Sequence, residues 1–295
     1  RSADLDGARV MGHEFSGEVV EVNGASGLSV GDRICTVGMG ANAEFVKISE
    51  QMVGLARPLA EHVSFDEAAT TEPLATSLHA VNLAAPEDGQ TCVVMGAGII
   101  GLGVVQCIRA KAPEARVIVV DVSQKRLDMA RELGANDTIN ALDTDTVRAV
   151  CDLTGSSSLG LIETEDGNVD IVFEHPGEAT FPVSTLVCKK GGMVVICAGT
   201  TGFNCTFDVR YLWMHQKRIQ GSHFAHLKQA SAANRLMLER RLDPCMSEVF
   251  PWAEIPAAHM KMYRNQHKPG NMSVLVQAPR TGLRTFEDAL EAGRR

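Results

Sequence analysis

The front of the chain alternates apolar and polar positions over short stretches, as strands with one buried face do. FSGEVVEV (15–22) and AEFVKI (43–48) show this alternation, and NGASGLSVGDR (23–33) has the composition of a turn that leads into a strand. From 64 to 85 the apolar residues recur at helical spacing instead, with Ser64 and Glu67 placed to form a capping box. This part of the chain is therefore predicted to be β-rich and to end in a helix.

Short apolar runs alternate with helical patterns in the rest of the chain. Because strands that alternate with helices form a parallel sheet, the predicted fold class is α/β, a doubly wound parallel sheet of the Rossmann type with a second, β-rich domain. The tail from 247 to 277 reverts to strand, helix, strand. The apolar runs predict strands at 91–95, 116–121, 169–174, 192–198 and 217–222, and the helical patterns predict helices at 123–134, 178–188 and 225–241.

The tail pattern suggests that the last part of the chain returns to the first domain. We therefore expect a β-rich substrate domain made of residues 1–85 and 245–295. Residues 86–244 are expected to form the dinucleotide-binding domain. A chain of 295 residues is long enough for two such domains.

Three glycines stand between a predicted strand and a predicted helix in the spacing G-x-G-x-x-G. Gly96 permits a tight turn, Gly98 lets the backbone approach a pyrophosphate, and Gly101 lets the helix pack closely on the strand. The pyrophosphate is expected at the helix N-terminus, where free N–H groups point outward. Asp121 ends the next strand, 20 residues beyond Gly101, where a carboxylate binds the ribose hydroxyl of NAD. The pattern predicts a nicotinamide dinucleotide site.

Loops at the carboxyl edge of the predicted sheet complete this site. A carboxylate at Asp121 would repel the 2′-phosphate of NADP, so NAD(H) is the predicted preference and NADP(H) the alternative. Arg126, on the following helix, could soften that repulsion. The predicted cofactor-binding residues are Gly96, Ala97, Gly98, Ile99, Ile100, Gly101, Asp121, Arg126, His175, Ala198, Gly199 and Thr200.

Composition narrows the class of protein. The chain is 45% hydrophobic and 22% charged with a net charge of −8, which indicates a soluble globular protein without nucleic acid or anionic membranes as partners. No apolar run reaches transmembrane length, and the first ten residues do not resemble a signal peptide. The eight cysteines are scattered without C-x-x-C spacing, so we expect a reduced, cytoplasmic protein without a structural zinc lobe.

Two parts of the chain resemble different branches of the medium-chain dehydrogenase/reductase superfamily. GHEFSGEVVEV, VGDRI and TEPLATSLHA, in the front part, resemble zinc-dependent alcohol and polyol dehydrogenases. The stretch that begins VFEHPGEATFPVS and ends QASAANRL resembles crotonyl-CoA carboxylase/reductases and acryloyl-CoA reductases, as does EIPAAHMKMYRNQHKPGNM. The resemblance implies a Rossmann domain, a GroES-like second domain and nicotinamide-dependent redox chemistry.

The resemblance to the alcohol dehydrogenases implies a catalytic zinc ion held by His13, Glu14 and Glu72. Histidine and carboxylate groups are suitable zinc ligands. The cysteine that this branch also uses lies in an early loop that would precede residue 1, so the first domain is expected to be truncated. Cys35 stands on a predicted strand without ligand-like spacing. The sequence leaves zinc binding open.

The resemblance to the reductases implies reduction of a short-chain enoyl-CoA such as crotonyl-CoA or acryloyl-CoA. His223, in the motif G-S-H-F, matches a histidine that helps to hold the CO2 site in the carboxylating members, and is the candidate catalytic residue. An aromatic–glutamate pair of that site is replaced by CTVGMG (35–40). Plain reduction is therefore expected rather than carboxylation.

Three functions stay open at this point. Enoyl-CoA reduction is the first expectation, a zinc-dependent alcohol or polyol dehydrogenase the second, and a catalytically silent nucleotide-binding protein the third. The expected partners are a small-molecule acyl-CoA or alcohol and further copies of the chain. A homodimer or homotetramer is expected because QKRIQGSHF (216–224) could pair as an edge strand across a two-fold axis.

Overall fold

The computed structural model describes residues 10–24, 27–156 and 169–276. The chain divides into two compact units, one made of Arg1–Ala75 with Ala225–Arg295 and the other of Thr76–Phe224. The sequence analysis placed these boundaries at 85/86 and 244/245. The helix predicted at 225–241 was expected in the dinucleotide-binding domain. It belongs instead to the unit that contains both ends of the chain.

A small antiparallel sheet forms in the front part. Glu14 lies opposite Val37 in its register, and the ladder is short. Residues 43–48, predicted as a strand, are not part of any strand, and Phe45 is 65% exposed. Alternation alone does not make a strand, because the backbone also needs a partner for its hydrogen bonds. The elements are β1 (Glu14–Glu18), β2 (Arg33–Val37), α1 (Glu50–Val53) and β3 (Arg57–Pro58), with β2 in the middle of the sheet.

The helical pattern that follows gives two helices, α2 (Phe65–Ala68) and α3 (Thr71–Ala84), rather than one. The predicted capping box is present, since the Ser64 backbone N–H donates to Glu67 Oε2 at 3.1 Å and the Ser64 side chain accepts from the Glu67 backbone N–H. Between the two helices the Thr70 hydroxyl donates to the Glu67 carbonyl at 2.6 Å. A side-chain hydroxyl that bonds nearby backbone competes with continuation of the helix, which accounts for the break.

The second unit alternates strands and helices, as the sequence predicted. All six strands are parallel and lie in the spatial order β6-β5-β4-β7-β8-β9, so the order reverses between β4 and β7. This is the doubly wound arrangement, in which ligands bind at the carboxyl edge near the reversal. The elements are β4 (Thr91–Met95), α4 (Ile99–Lys111), β5 (Arg116–Asp121), α5 (Gln124–Glu132), β6 (Asp137–Asn140), α6 (Thr146–Thr154), β7 (Val169–Glu174), α7 (Phe181–Val187), β8 (Cys188–Ile196), α8 (Arg210–Trp213) and β9 (Arg218–Gly221).

The central strands of this sheet are buried, which explains their continuous apolar runs. Cys92, Val93, Val94 and Met95 in β4 are each 0% exposed. Strands of a parallel sheet covered by helices have both faces buried and therefore do not alternate. Burial raises the pKa of the Cys92 and Cys107 thiols to about 12, so these cysteines act as small apolar residues.

The tail forms a strand, a helix and a strand, as its pattern predicted, after one preceding helix. The two strands pair in parallel, with Phe250 opposite Val274. The elements are α9 (Leu227–Leu238), β10 (Met246–Pro251), a 3₁₀ turn (Trp252–Glu254), α10 (Ile255–Tyr263) and β11 (Asn271–Leu275).

A buried ion pair ties the front of the first unit to its tail. Arg240 Nη1 lies 2.7 Å from Glu67 Oε1, and these side chains are 8% and 1% exposed. Arg240 Nη2 also donates to the His62 carbonyl at 3.0 Å. Because a buried charge needs a partner, these contacts hold the segment after α9 in place.

The longest of the described helices, α3, has 14 residues. A helix needs about 20 predominantly apolar residues to cross a bilayer. Within the described ranges, no helix meets the length and hydropathy that a membrane span requires.

Candidate functional site

The glycine turn between β4 and α4 has the geometry that the sequence predicted. Gly96 has φ of 89° and donates its N–H to the Val120 carbonyl at 2.7 Å. A Cβ on Gly101 would lie 1.9 Å from the Gly96 oxygen, so only glycine lets α4 begin this close to the turn. A Cβ on Gly98 would meet nothing within 4 Å. The turn is thus tightly packed on its inner side and open at Gly98.

Helix α4 begins directly after this turn. Gly98 is the N-cap residue, and its carbonyl accepts the first helical hydrogen bond from Leu102 N at 2.9 Å. The N–H groups of the first turn, which includes Ile99 and Ile100, have no partner within a helix, and the helix dipole makes this end positive. The open space at Gly98 and the positive helix end together suit a diphosphate.

Asp121 ends β5 beside the turn and holds two backbone groups. Its Oδ2 accepts from Ala97 N at 2.7 Å and its Oδ1 accepts from Ser123 N at 2.8 Å. Arg126 Nη1 lies 3.9 Å from Oδ1. Each carboxylate oxygen retains a lone pair, so Asp121 can still accept a ribose hydroxyl. Two N–H donors and a nearby guanidinium offset part of its charge, however, which weakens the repulsion of a 2′-phosphate that the sequence analysis expected.

His175 follows β7 and lies against the same turn. Its Nδ1 is 2.8 Å from the Met95 carbonyl, and the residue is 7% exposed. Burial lowers the pKa of His175 to about 4, so the ring is neutral near pH 7. A neutral ring that bonds a carbonyl through Nδ1 carries its proton there. His175 thus anchors the end of β7 to the residue that precedes the turn.

The loops that follow β7 and β8 are joined to each other. Thr201 N donates to the Pro176 carbonyl at 2.8 Å, and Gly177 and Gly202 form an isolated parallel β-bridge. The predicted residues Ala198, Gly199 and Thr200 lie in the second of these loops, directly after β8. The structure therefore brings the predicted cofactor residues to one edge of the sheet, across β4, β5, β7 and β8.

His223, the candidate catalytic residue, lies just beyond the same edge of the sheet. Ile196, the last residue of β8, pairs with Gly221, the last of β9, and His223 comes two residues later. Its side chain is exposed. The preceding Ser222 N donates to the Ile196 carbonyl at 2.8 Å, so His223 lies next to the end of β8.

The three candidate metal ligands come together in the first unit. One ligand atom each from His13, Glu14 and Glu72 lies within 4.8 Å of the others. Burial raises the pKa of Glu14 to about 8, and the nearby Glu72 carboxylate adds to the effect. Glu14 Oε2 is buried and has no hydrogen-bond partner among the described residues. A histidine and two carboxylates, one of them with a buried oxygen that has no partner among the described residues, fit a zinc ion with an open coordination position. Cys35 is not a member of this cluster.

The sequence analysis missed one polar residue at the carboxyl edge of the parallel sheet. Glu174, the last residue of β7, is 0% exposed and accepts from Gly177 N at 2.9 Å and from Thr180 Oγ1 at 2.5 Å. Ser184 Oγ donates to its other oxygen. The signal that could have identified it is a carboxylate at the end of an otherwise apolar strand, VDIVFE, followed by a Pro-Gly turn and two hydroxyl residues.

Comparison with known proteins agrees with both resemblances. Residues 100–239 match the family model of zinc-binding dehydrogenases, and residues 3–63 match that of the alcohol dehydrogenase GroES-like domain. A crotonyl-CoA carboxylase/reductase of Cereibacter sphaeroides is 55% identical over 283 residues, which cover 87% of this chain and 63% of that relative. The chain thus spans less than two thirds of the length of this relative.

Solved structures match over most of the chain. A crotonyl-CoA carboxylase/reductase has a TM-score of 0.75 and 41% identity, covering 96% of this chain and 76% of its own. The crotonyl-CoA carboxylase/reductase AntE, solved in complex with NADP, has a TM-score of 0.75 and 28% identity, covering 91% of this chain and 77% of its own. Because that neighbour binds NADP, the predicted preference for NADH is not supported.

The fold, the glycine turn and the comparisons agree with one another. The six-stranded parallel sheet carries the glycine turn at its carboxyl edge, and the front of the chain matches a GroES-like domain. The solved crotonyl-CoA carboxylase/reductase is 41% identical over 76% of its length. The chain therefore belongs to the medium-chain dehydrogenase/reductase superfamily of oxidoreductases.

Proposed function

We propose that this protein reduces a short-chain enoyl-CoA with a nicotinamide cofactor bound at the carboxyl edge of its parallel sheet. The observation that carries the proposal is the 55% identity to a crotonyl-CoA carboxylase/reductase. The open space at Gly98, beside the positive end of α4, supports binding of the dinucleotide diphosphate. When bound, the nicotinamide supplies a hydride to the β-carbon of the enoyl thioester.

We further propose that CO2 can take the place of a proton at the α-carbon of the thioester enolate. This revises the expectation of plain reduction, and it is supported by the 55% identity to a crotonyl-CoA carboxylase/reductase and by the exposed His223 at the carboxyl edge of the sheet. His223 is exposed and comes two residues after the end of β9.

The test is oxidation of NADPH or NADH with crotonyl-CoA and with acryloyl-CoA, each with and without bicarbonate. We expect substrate-dependent oxidation, and a carboxylated product by mass spectrometry when bicarbonate is present. His223→Ala should lower the carboxylated fraction of the product, whereas His226→Ala, at another exposed histidine, should leave it unchanged. Cofactor binding without turnover of either thioester would contradict the proposal and favour a catalytically silent protein.

The two glycines of the turn give a matched test of the cofactor site. Gly98→Ala adds a methyl group where nothing lies within 4 Å, so it should leave thermal stability unchanged but raise the cofactor KM by about tenfold or more. Gly101→Ala forces a clash with the Gly96 oxygen at 1.9 Å and should lower the melting temperature instead. Unchanged cofactor KM in the folded Gly98→Ala protein would show that the diphosphate binds elsewhere.

We propose that NADPH is used, with Arg126 as a ligand of its 2′-phosphate. Arg126 lies 3.9 Å from Asp121, whose carboxylate already accepts two backbone N–H groups. Arg126→Ala should therefore lower kcat/KM for NADPH by about tenfold, or roughly 1.4 kcal/mol, and change the value for NADH much less. Lys125→Ala, at the exposed neighbouring position, is the control. Wild-type protein that works better with NADH would instead support the ribose role of Asp121.

A zinc-dependent alcohol or polyol dehydrogenase is the second candidate function, favoured by the convergence of His13, Glu14 and Glu72 within 4.8 Å. These side chains would hold the ion. Because an enoyl-thioester reductase needs no metal, His13→Ala combined with Glu72→Ala should leave enoyl-CoA reduction largely intact. A loss above about 100-fold without unfolding, together with stoichiometric zinc in the wild-type protein, would show that the site is a working metal centre.

We propose that β9 pairs with its counterpart in a second copy of the chain. β9 is an end strand of the sheet in the described residues, and Ile219 within it is 38% exposed. An uncovered strand edge is prone to aggregation, so pairing across a two-fold axis is favoured. A monomer by light scattering at micromolar concentration would contradict this assembly.

A further inference from the structure

A fully buried carboxylate lies at the point where the central strands of the sheet end. Glu174 is the last residue of β7, and it pairs with Met95 at the end of β4 and with Ile196 at the end of β8. It is 0% exposed, so it does not touch a ligand in the cofactor space. Burial of a carboxylate costs free energy unless hydrogen-bond donors satisfy its oxygens.

All the donors to Glu174 come from the segment that follows it. Gly177 N and Thr180 Oγ1 donate to Oε1, and Ser184 Oγ donates to Oε2. Gly177 has φ of 87° and forms the sharp part of the loop. Thr180 precedes α7, and Ser184 lies inside it. The carboxylate therefore holds both the loop and the beginning of the helix to the end of its own strand.

The loop held by Glu174 contacts the other parts of the cofactor edge. On one side, Pro176 would lie 3.3 Å from a Cβ on Gly96, so it packs against the glycine turn. On the other side, the Pro176 carbonyl accepts from Thr201 N and from Thr201 Oγ1, each at 2.8 Å. Thr201 Oγ1 in turn accepts from Ala179 N at 3.0 Å. A shift of the loop would displace the residues on both sides.

We propose that Glu174 is a positioning residue for the cofactor. It fixes the loop from His175 to Thr180 and, through it, the loop from Gly199 to Gly202, against which the nicotinamide half of the dinucleotide binds. Asp121, at the end of β5, would hold the adenosine half, so the nicotinamide half would extend past the reversal of strand order toward β7 and β8. This inference rests on the proposed function.

The same strand provides a matched control at its opposite end. Asp170 Oδ2 accepts from Thr91 N at 2.8 Å, and Lys189 Nζ forms an ion pair with Oδ1. Asp170 is therefore tied to neighbouring strands much as Glu174 is tied to its loop. Its contacts lie at the amino edge of the sheet, however, far from the cofactor loops. Loss of Asp170 should affect stability alone.

The experiment compares Glu174→Gln with Asp170→Asn by NADPH titration, steady-state kinetics and melting temperature. An amide nitrogen cannot accept a hydrogen bond, so Glu174→Gln should raise the Kd and KM for the cofactor by about tenfold, with kcat changed by less than about threefold. Asp170→Asn should lower the melting temperature with the cofactor KM unchanged. Equal KM effects in both variants, or a Glu174→Gln effect on stability alone, would overturn the inference.

A milder pair of variants covers the case in which Glu174→Gln fails to fold. Thr180→Val removes one donor to Glu174 without changing the side-chain shape, and should raise the cofactor KM by about threefold. Thr185 lies in α7, and its hydroxyl donates to the Pro182 carbonyl rather than to Glu174. Thr185→Val removes this hydroxyl and should leave the cofactor KM unchanged. Equal KM values for the two variants would contradict the proposed role.

Titration of the wild-type protein separates this inference from the proposed function. If the wild-type protein does not bind NADPH or NADH, the proposed function fails and the inference fails with it. If the wild-type protein binds the cofactor, and Glu174→Gln binds it equally well, the inference alone is wrong.

Discussion

The approach of α4 to the end of β4 is the constraint on which the arrangement of the carboxyl edge of the parallel sheet depends. A Cβ on Gly101 would lie 1.9 Å from the Gly96 oxygen, so the first turn of the helix can lie there only with glycine. That contact directs the helix N-terminus toward the open space at Gly98. The neighbouring groups are then arranged around the turn, since Ala97 N bonds Asp121 and the Met95 carbonyl bonds His175. A wider turn would separate the helix end from the groups that surround it.

Three carboxylates near the candidate sites differ in how their charge is satisfied, and the difference indicates their roles. Glu174 has a donor on each oxygen and no exposure, which suits a group that positions the loop after β7 rather than one that contacts a ligand. Asp121 has backbone donors and a nearby guanidinium, yet its oxygens can accept one more hydrogen bond each. Glu14 is buried with one oxygen unpartnered among the described residues, and its pKa is raised to about 8. Such a group gains most from a bound cation.

The front and back of the chain carry features of two branches of one superfamily. The cluster of His13, Glu14 and Glu72 lies in the unit formed by the two ends of the chain, and the glycine turn lies in the unit formed by Thr76–Phe224. Hydride transfer from a nicotinamide serves both branches, because the cofactor supplies the redox chemistry and the protein supplies position and charge. A cluster that fits a metal ion favours the alcohol dehydrogenase branch but is also compatible with the other branch.

The sequence by itself determined the parallel sheet, the glycine turn and the capping box at Ser64, because each follows from local residue types at fixed spacing. It also predicted a cluster of His13, Glu14 and Glu72, but through resemblance rather than through spacing, and the structure brings these three residues together. Only the tertiary structure decided that 43–48 pairs with no strand, that Asp121 bonds two backbone N–H groups, and that Glu174 holds the loop after β7. These outcomes depend on which groups meet across the fold. Burial and hydrogen-bond partners are set by residues distant in the chain, and no local pattern encodes them.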